Sequence, residues 1–147
     1  MCTKLLVRRG YPNTGRNFDV FVGVDLATQQ GQRDLWSYVL DFRPLILIMS
    51  PPCTGLKGFA ALNAIINHAT WLRSSQHSRK LGHLCGQIAQ EQLRKHRHFL
   101  VEQPVGSALF ELPIWCAIAS QLFVVRFDQC MTGLIGRKSG MPIRKRT

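Results

Sequence analysis

Apolar positions along the chain form two patterns, short unbroken runs and stripes with helical spacing. The four short runs, each of which predicts a β-strand, span 18–24, 45–49, 99–102 and 122–127. The three stripes, each of which predicts an amphipathic helix, span 32–42, 57–73 and 79–96. Ser107 and Pro113 predict the starts of two short helices, the second running to about Gln121. Runs and stripes alternate, which is typical of an α/β fold with a parallel sheet.

The run Leu45–Met49 stands out because a double proline follows it. Five apolar residues in succession predict a strand with both faces buried in a parallel sheet. Pro51 and Pro52 cannot donate to a ladder, so the chain must leave the sheet stiffly at Ser50. Ligands of open α/β sheets bind at the carboxyl ends of the strands. Cys53 is therefore expected where such folds carry out chemistry.

Three of the predicted strands end in a polar or reactive residue, namely Asp25, Cys53 and Glu102, which we expect at one edge of the sheet. A thiolate can attack an electrophilic ring carbon, while a carboxyl group holds and protonates a ring nitrogen. Each residue also has a structural interpretation. Cys53 can be a small buried residue that behaves as a hydrophobe. Glu102 can be a carboxylate that pairs with a basic neighbour. Asp25 can be an acidic residue that stabilises a helix N-terminus.

The composition of the chain indicates the kind of partner that it binds. The chain has 147 residues, enough for one domain, and a formal net charge of +11 with only eight acidic residues. Such an excess predicts attraction to a polyanion, most simply nucleic acid, although a solvated basic surface is the plainer interpretation. The number of cysteines, five, is odd, and no two of them form a Cys-x-x-Cys motif. This pattern predicts reduced thiols and an intracellular setting. We also expect no metal site. No apolar run reaches the length of a membrane span.

Three motifs resemble those of DNA (cytosine-5) methyltransferases. Ser50–Cys53 (Ser-Pro-Pro-Cys) looks like that family's catalytic Pro-Cys motif, and Val101–Gln103 looks like its Glu-Asn-Val motif. Gly140–Arg146 resembles its Gly-x-Pro-Gln-x-Arg-x-Arg motif, shortened by one residue. The order of Ser-Pro-Pro-Cys-Thr at 50–54, Phe-Leu-Val-Glu-Gln-Pro at 99–104 and then Asp128–Gly133 is similar to methyltransferase-like segments of retroelement polyproteins. The resemblance covers roughly residues 18–147, and residues 1–17 are expected to be a frayed lead-in.

The resemblance implies a Rossmann-like, S-adenosylmethionine-dependent methyltransferase fold. By it, Cys53 adds to C6 of a flipped-out cytosine and Glu102 holds N3, while Arg144 and Arg146 assist at the thiol or contact phosphate. The methyl group passes from S-adenosylmethionine to C5. The residues that the resemblance assigns to this cofactor are Asp25, Leu26 and Pro51.

The chain also departs from the family. A Phe-x-Gly-x-Gly loop after the first strand is missing, and Gln-Pro follows Glu102 where the family has Asn-Val. We therefore expect a fold incomplete at its N-terminal side, with exposed apolar faces and a tendency to self-associate. Two alternatives stay open, a non-catalytic basic nucleic-acid-binding remnant and an amino-group DNA methyltransferase. Cys53 argues against the latter, whose related loop carries an aromatic residue there. Trp36, Trp71 and Trp115 are expected in the core.

Overall fold

The computed structural model describes residues 8–10, 15–56, 60–128 and 140–141. Contacts divide the chain into two compact units, Met1–Leu45 and Ile46–Thr147. Most of the predicted lead-in and of the basic segment 140–146 lies outside the described residues. Of the helices described, none is both long and apolar enough to cross a membrane.

The first unit contains a short turn of helix where the sequence predicts a strand. Val20–Val22 form a 3₁₀ helix, so the prediction of a strand over 18–24 is wrong. The Asp19 carboxylate accepts a hydrogen bond of 2.9 Å from the Phe21 amide, and Gly23 reverses the chain at φ 81°. An Asp side chain that bonds to nearby amides gives the backbone an alternative to a ladder, and it outweighs the β-propensity of the valines here.

Helix α1 spans Gln29–Phe42 and starts three residues before the predicted position. Thr28 caps it, because its hydroxyl accepts a hydrogen bond of 3.1 Å from the Gly31 amide. The helix ends at Phe42, and the next residue, Arg43, lies in the left-handed region at φ 48° just before Pro44. The predicted end is therefore confirmed, although Arg43 takes the left-handed conformation common at helix C-termini and not the extended one that a following proline favours.

The second unit contains a two-stranded parallel sheet. Strand β1 spans Ile46–Met49 and strand β2 spans His98–Val101, paired so that Met49 lies opposite Val101. Both predicted strands are thus confirmed within a residue or two. The Rossmann-like fold, which needs a larger doubly wound sheet, stays a prediction.

The two faces of this sheet differ in burial. Met49, Phe99 and Val101 pack against the core of the second unit, whereas Ile48 and Leu100 are 51% and 54% exposed. Both strands alternate between exposed and half-buried residues. The prediction of strands buried on both faces is therefore wrong. A continuous apolar run does not reveal how many layers cover it.

Two helices separate the strands. Helix α2 spans Ala60–Ile66 and helix α3 spans His68–Arg94, so the break lies at Asn67 and not at 74–78 as predicted. Asn67 caps α3 by accepting a hydrogen bond of 3.1 Å from the Thr70 amide. The serines at 74–78 lie inside α3. They interrupt its apolar stripe because this part of the helix faces the loop at residues 50–56, to which Ser74 and Ser78 are hydrogen-bonded.

Trp115 lies at the centre of the core and is 1% exposed. It belongs to helix α4, Pro113–Cys116, which follows a 3₁₀ helix over Ala108–Glu111. The Trp115 indole N–H donates a hydrogen bond of 3.0 Å to the Gly82 carbonyl of α3, so its one polar atom is satisfied. Helices at these two positions confirm the starts predicted at Ser107 and Pro113. The predicted end of the second near Gln121 is wrong, because α4 stops at Cys116 and a separate 3₁₀ turn spans Ala119–Gln121.

The final predicted strand is wrong. Residues 122–127 have no regular secondary structure. Phe123 is fully exposed, and Val124 and Val125 are 73% and 76% exposed. An apolar run with high β-propensity specifies a strand only where a neighbouring strand supplies the ladder.

Candidate functional site

The candidate site is the loop that follows β1, residues 50–56, which we call the cysteine loop. Cys53 is half-buried and its thiol is free. The Leu56 amide donates a hydrogen bond of 2.9 Å to the Cys53 carbonyl, which closes a turn around the thiol-bearing residue. Pro51 is buried at the start of this loop.

Gln103, which follows β2, fixes the start of the cysteine loop. Its Nε2 donates a buried hydrogen bond of 2.6 Å to the Pro51 carbonyl. Its Oε1 accepts a second bond of 2.8 Å from the Ser107 hydroxyl. Gln103 is only 6% exposed. One amide thus ties the two loops at the carboxyl ends of β1 and β2 to each other.

Helix α3 fixes the other end of the loop through small residues. The Gly55 amide donates a hydrogen bond of 3.4 Å to the Ser78 hydroxyl, and the Ser74 hydroxyl donates one of 3.0 Å to Thr54 Oγ1. Any Cβ at Gly55 would collide with the backbone of Ser75. The loop therefore rests directly on the helix, which requires both the glycine and the serines.

Glu102 leaves the sheet beside the cysteine loop. Its amide donates a hydrogen bond of 3.1 Å to the Met49 carbonyl and extends the parallel ladder by one step. Glu102 is half-buried. Because β1 and β2 are parallel neighbours, the segments that carry Cys53 and Glu102 begin at the same end of the sheet.

Asp25 does not follow a strand, contrary to the sequence prediction, and it lies in the first unit. Its Oδ1 accepts a hydrogen bond of 2.8 Å from the Ala27 amide. Its carbonyl accepts from the Thr28 amide at 3.1 Å and from the Thr28 hydroxyl at 2.7 Å. Leu26 belongs to the same turn, where its carbonyl accepts 2.9 Å from Gln32 Nε2. Both predicted cofactor residues therefore help to build the start of α1.

Arg144 and Arg146 lie outside the described residues. The described part of the chain offers another basic surface, the exposed side of α3 that carries Arg73, His77 and Lys80. These positions are spaced four and three residues apart, so they share one face. The helix contains one acid, Glu91. Arg94 neutralises it with a hydrogen bond of 2.8 Å, which lowers the pKa of Glu91.

Sequence reasoning missed the residues that hold the loop, Gln103, Ser74 and Ser78. A polar amide directly after a strand and serines at helical spacing were the available signals. The basic side of α3 was missed because the helix was divided at 74–78, which separated Arg73 from Lys80.

Cys85 provides a contrast to Cys53. It lies on α3 against the core, and burial raises the pKa of its thiol to about 12. A thiol with that pKa stays protonated at neutral pH and is a poor nucleophile. No cluster of three metal-ligating side chains occurs within the described residues.

No family model, curated protein or solved structure matches this chain.

Proposed function

We propose that the chain is a DNA cytosine-5 methyltransferase-like domain in which Cys53 is the nucleophile and Glu102 the proton donor. The observation that carries this proposal is the placement of the two residues after adjacent parallel strands. Glu102 directly follows β2, and Cys53 lies four residues after β1 in a loop that Gln103 holds. Open α/β sheets bind their ligands at the carboxyl ends of the parallel strands, so reactive side chains at this edge are suited to a catalytic site. The motif resemblance supplies the substrate.

The reaction assigned to these residues needs only proton transfers and one covalent bond to the substrate, with no metal taking part. The Cys53 thiolate forms a bond to C6 of cytosine, and the Glu102 carboxyl group donates its proton to N3, so that the adduct is a neutral enamine. This raises the electron density at C5, which then takes up a methyl group. Loss of the C5 proton to a base, release of Cys53 as a thiolate and return of the N3 proton to the Glu102 carboxylate restore the aromatic ring and the starting state of both residues. The cytosine must be unstacked, because C6 is out of reach within a duplex.

S-adenosylmethionine is the methyl donor that this proposal requires, and it supplies an electrophilic methyl group when bound. Within the first unit, Asp25 has an exposed side chain whose Oδ1 accepts a hydrogen bond from the Ala27 amide, and a carboxylate of this kind can also accept one from a ribose hydroxyl. The Leu26 carbonyl already accepts a hydrogen bond from Gln32, and the Pro51 carbonyl accepts one from Gln103. Neither carbonyl therefore supports the role in cofactor binding that the resemblance gives these two residues. Calorimetry with the purified chain measures this affinity directly, and micromolar binding is expected.

Covalent trapping tests the function. The wild-type chain is incubated with S-adenosylmethionine and DNA containing 5-fluorocytosine, whose fluorine cannot leave after methyl transfer. A stable protein–DNA complex is expected on a denaturing gel. C53S should abolish it, whereas C116S should retain it, because Cys116 is exposed but follows no strand. A complex that persists in C53S would overturn the nucleophile assignment.

A second function, a basic nucleic-acid-binding module without catalysis, is favoured by the side of α3 that carries Arg73, His77 and Lys80. Phosphate contacts of this kind produce salt-sensitive binding with little base preference. Neutralising Arg73 and Lys80 together should reduce the slope of log affinity against log salt by about two. An unchanged slope would exclude this surface as the contact.

A further inference from the structure

A groove of about 220 Å³ borders the cysteine loop. It lies between the loop, the end of α2 and the first turns of α3. The residues that line it are Thr54, Ile66, Asn67, Thr70, Trp71 and Ser74. Its volume is below the range of pockets for drug-sized ligands, so it suits one small ring. Thr54 connects it to the candidate nucleophile, since Cys53 is the preceding residue.

The lining combines one aromatic face with several hydrogen-bonding groups. Trp71 is half-buried, contrary to the expectation that it belongs to the core, and the His68 ring packs against it at a centroid distance of 5.3 Å. Asn67 uses Oδ1 to cap α3, which leaves its amide N–H groups for a ligand. Thr54 accepts from Ser74, which leaves its own hydroxyl proton to donate.

A cation lies at the edge of this groove. Arg73 is exposed, and its Nη2 donates a hydrogen bond of 3.4 Å to Thr70 Oγ1, one of the lining atoms. An aromatic platform, amide and hydroxyl donors, and a guanidinium beside them form the combination that binds an unstacked base together with its phosphate. The net charge of +11 supplies the long-range attraction.

We propose that this groove binds one unstacked base of single-stranded DNA, stacked on Trp71, with its phosphate at Arg73. The inference rests on the proposed function only in taking DNA as the ligand. It assigns to Trp71 and Arg73 a binding role that no catalytic motif contains. A base held here would place its strand beside the cysteine loop.

Binding of a fluorescein-labelled single-stranded oligodeoxynucleotide, followed by anisotropy, tests the groove. W71A should weaken binding roughly 5- to 150-fold, the range implied by the energy of base stacking on aromatic side chains. W71F should stay within about threefold of wild type, because phenylalanine retains a stacking face. W36A, a half-buried tryptophan of the first unit, should leave the affinity unchanged. Equal affinities for W71A and wild type would overturn the proposal.

Photocrosslinking gives a second readout that needs no destabilising variant. An oligodeoxynucleotide with 5-iododeoxyuridine is irradiated with the wild-type chain, and the linked residue is identified by mass spectrometry. A crosslink at Trp71 is expected, and crosslinks confined to other residues would contradict the groove. C53S should give the same Trp71 crosslink. If trapping at Cys53 fails while this crosslink persists, only the catalytic proposal is refuted.

Discussion

Replacing Gln103 with leucine tests whether one buried amide holds the cysteine loop. Q103L removes the bond to the Pro51 carbonyl and the bond from the Ser107 hydroxyl. Each buried polar group left without a partner costs about 1–3 kcal/mol. The leucine side chain offsets about 1 kcal/mol by apolar burial. The free energy of unfolding should therefore fall by about 1–5 kcal/mol, a large fraction of what a small domain possesses.

Urea unfolding followed by tryptophan fluorescence measures this loss, because Trp115 is buried in the same unit as Gln103. With a slope of about 2 kcal/mol/M, the midpoint should move down by about 0.5–2.5 M. Q87L is the matched control, since Gln87 is exposed on α3, and its midpoint should not move. A shift in Q103L below about 0.3 M at unchanged slope would refute the reasoning.

Q103E adds a test of the direction of each hydrogen bond. A protonated carboxyl at this position can donate to the Pro51 carbonyl and accept from Ser107, as the amide does, whereas a carboxylate can only accept. Burial and the donated bond raise the pKa of the introduced carboxyl in the folded state above its unfolded value of about 4.3. Stability near that of wild type is thus expected below about pH 4, and it is lost as the pH rises through the folded pKa. The midpoint difference between Q103E and wild type should widen from pH 4 to pH 8, while Q87E stays flat; an equal difference at both pH values would contradict the assigned donor.

Three further predictions concern the loop and the long helix. G55A should lower stability by about 1–3 kcal/mol in urea unfolding and speed alkylation of Cys53, because its Cβ would come within 2.5 Å of the Ser75 amide nitrogen; wild-type values for both would show that the loop does not rest on α3. Native Cys85 should resist iodoacetamide at pH 8, where a pKa of about 12 leaves about one thiolate in 10⁴, and should react only after unfolding; labelling as fast as that of Cys53 would disprove its burial. N67A should cost about 1 kcal/mol and N67D much less, because aspartate also caps helices; equal losses in the two variants would argue against the cap.

Local signals in the sequence predicted the elements that bear the site. An apolar run stopped by prolines located β1, and an apolar run ending at Glu102 located β2. The arginine before Pro44 located the end of α1. Each of these features depends on residues that are close together in the sequence. It can therefore be predicted without knowledge of the tertiary structure.

Long-range features could not be predicted in this way. The bond from Gln103 to Pro51 joins residues 52 positions apart, and no local pattern pairs them. Burial of only one face of the sheet depends on how many layers form, which an apolar run does not encode. The cap at Asn67 and the serines of α3 were misjudged because serine and asparagine serve both as helix interruptions and as contacts.

The central claim is that Cys53 adds to C6 of cytosine. Addition makes C5 exchange its hydrogen with solvent even without a methyl donor, so exchange tests the nucleophile apart from the cofactor. Single-stranded DNA is incubated with the chain in D₂O, and deuterium at cytosine C5 is measured by mass spectrometry. The account predicts exchange with wild type, strongly reduced exchange with E102Q, and none above background with C53S. Exchange that is equal in wild type and C53S, or absent from both while the DNA is bound, would contradict it.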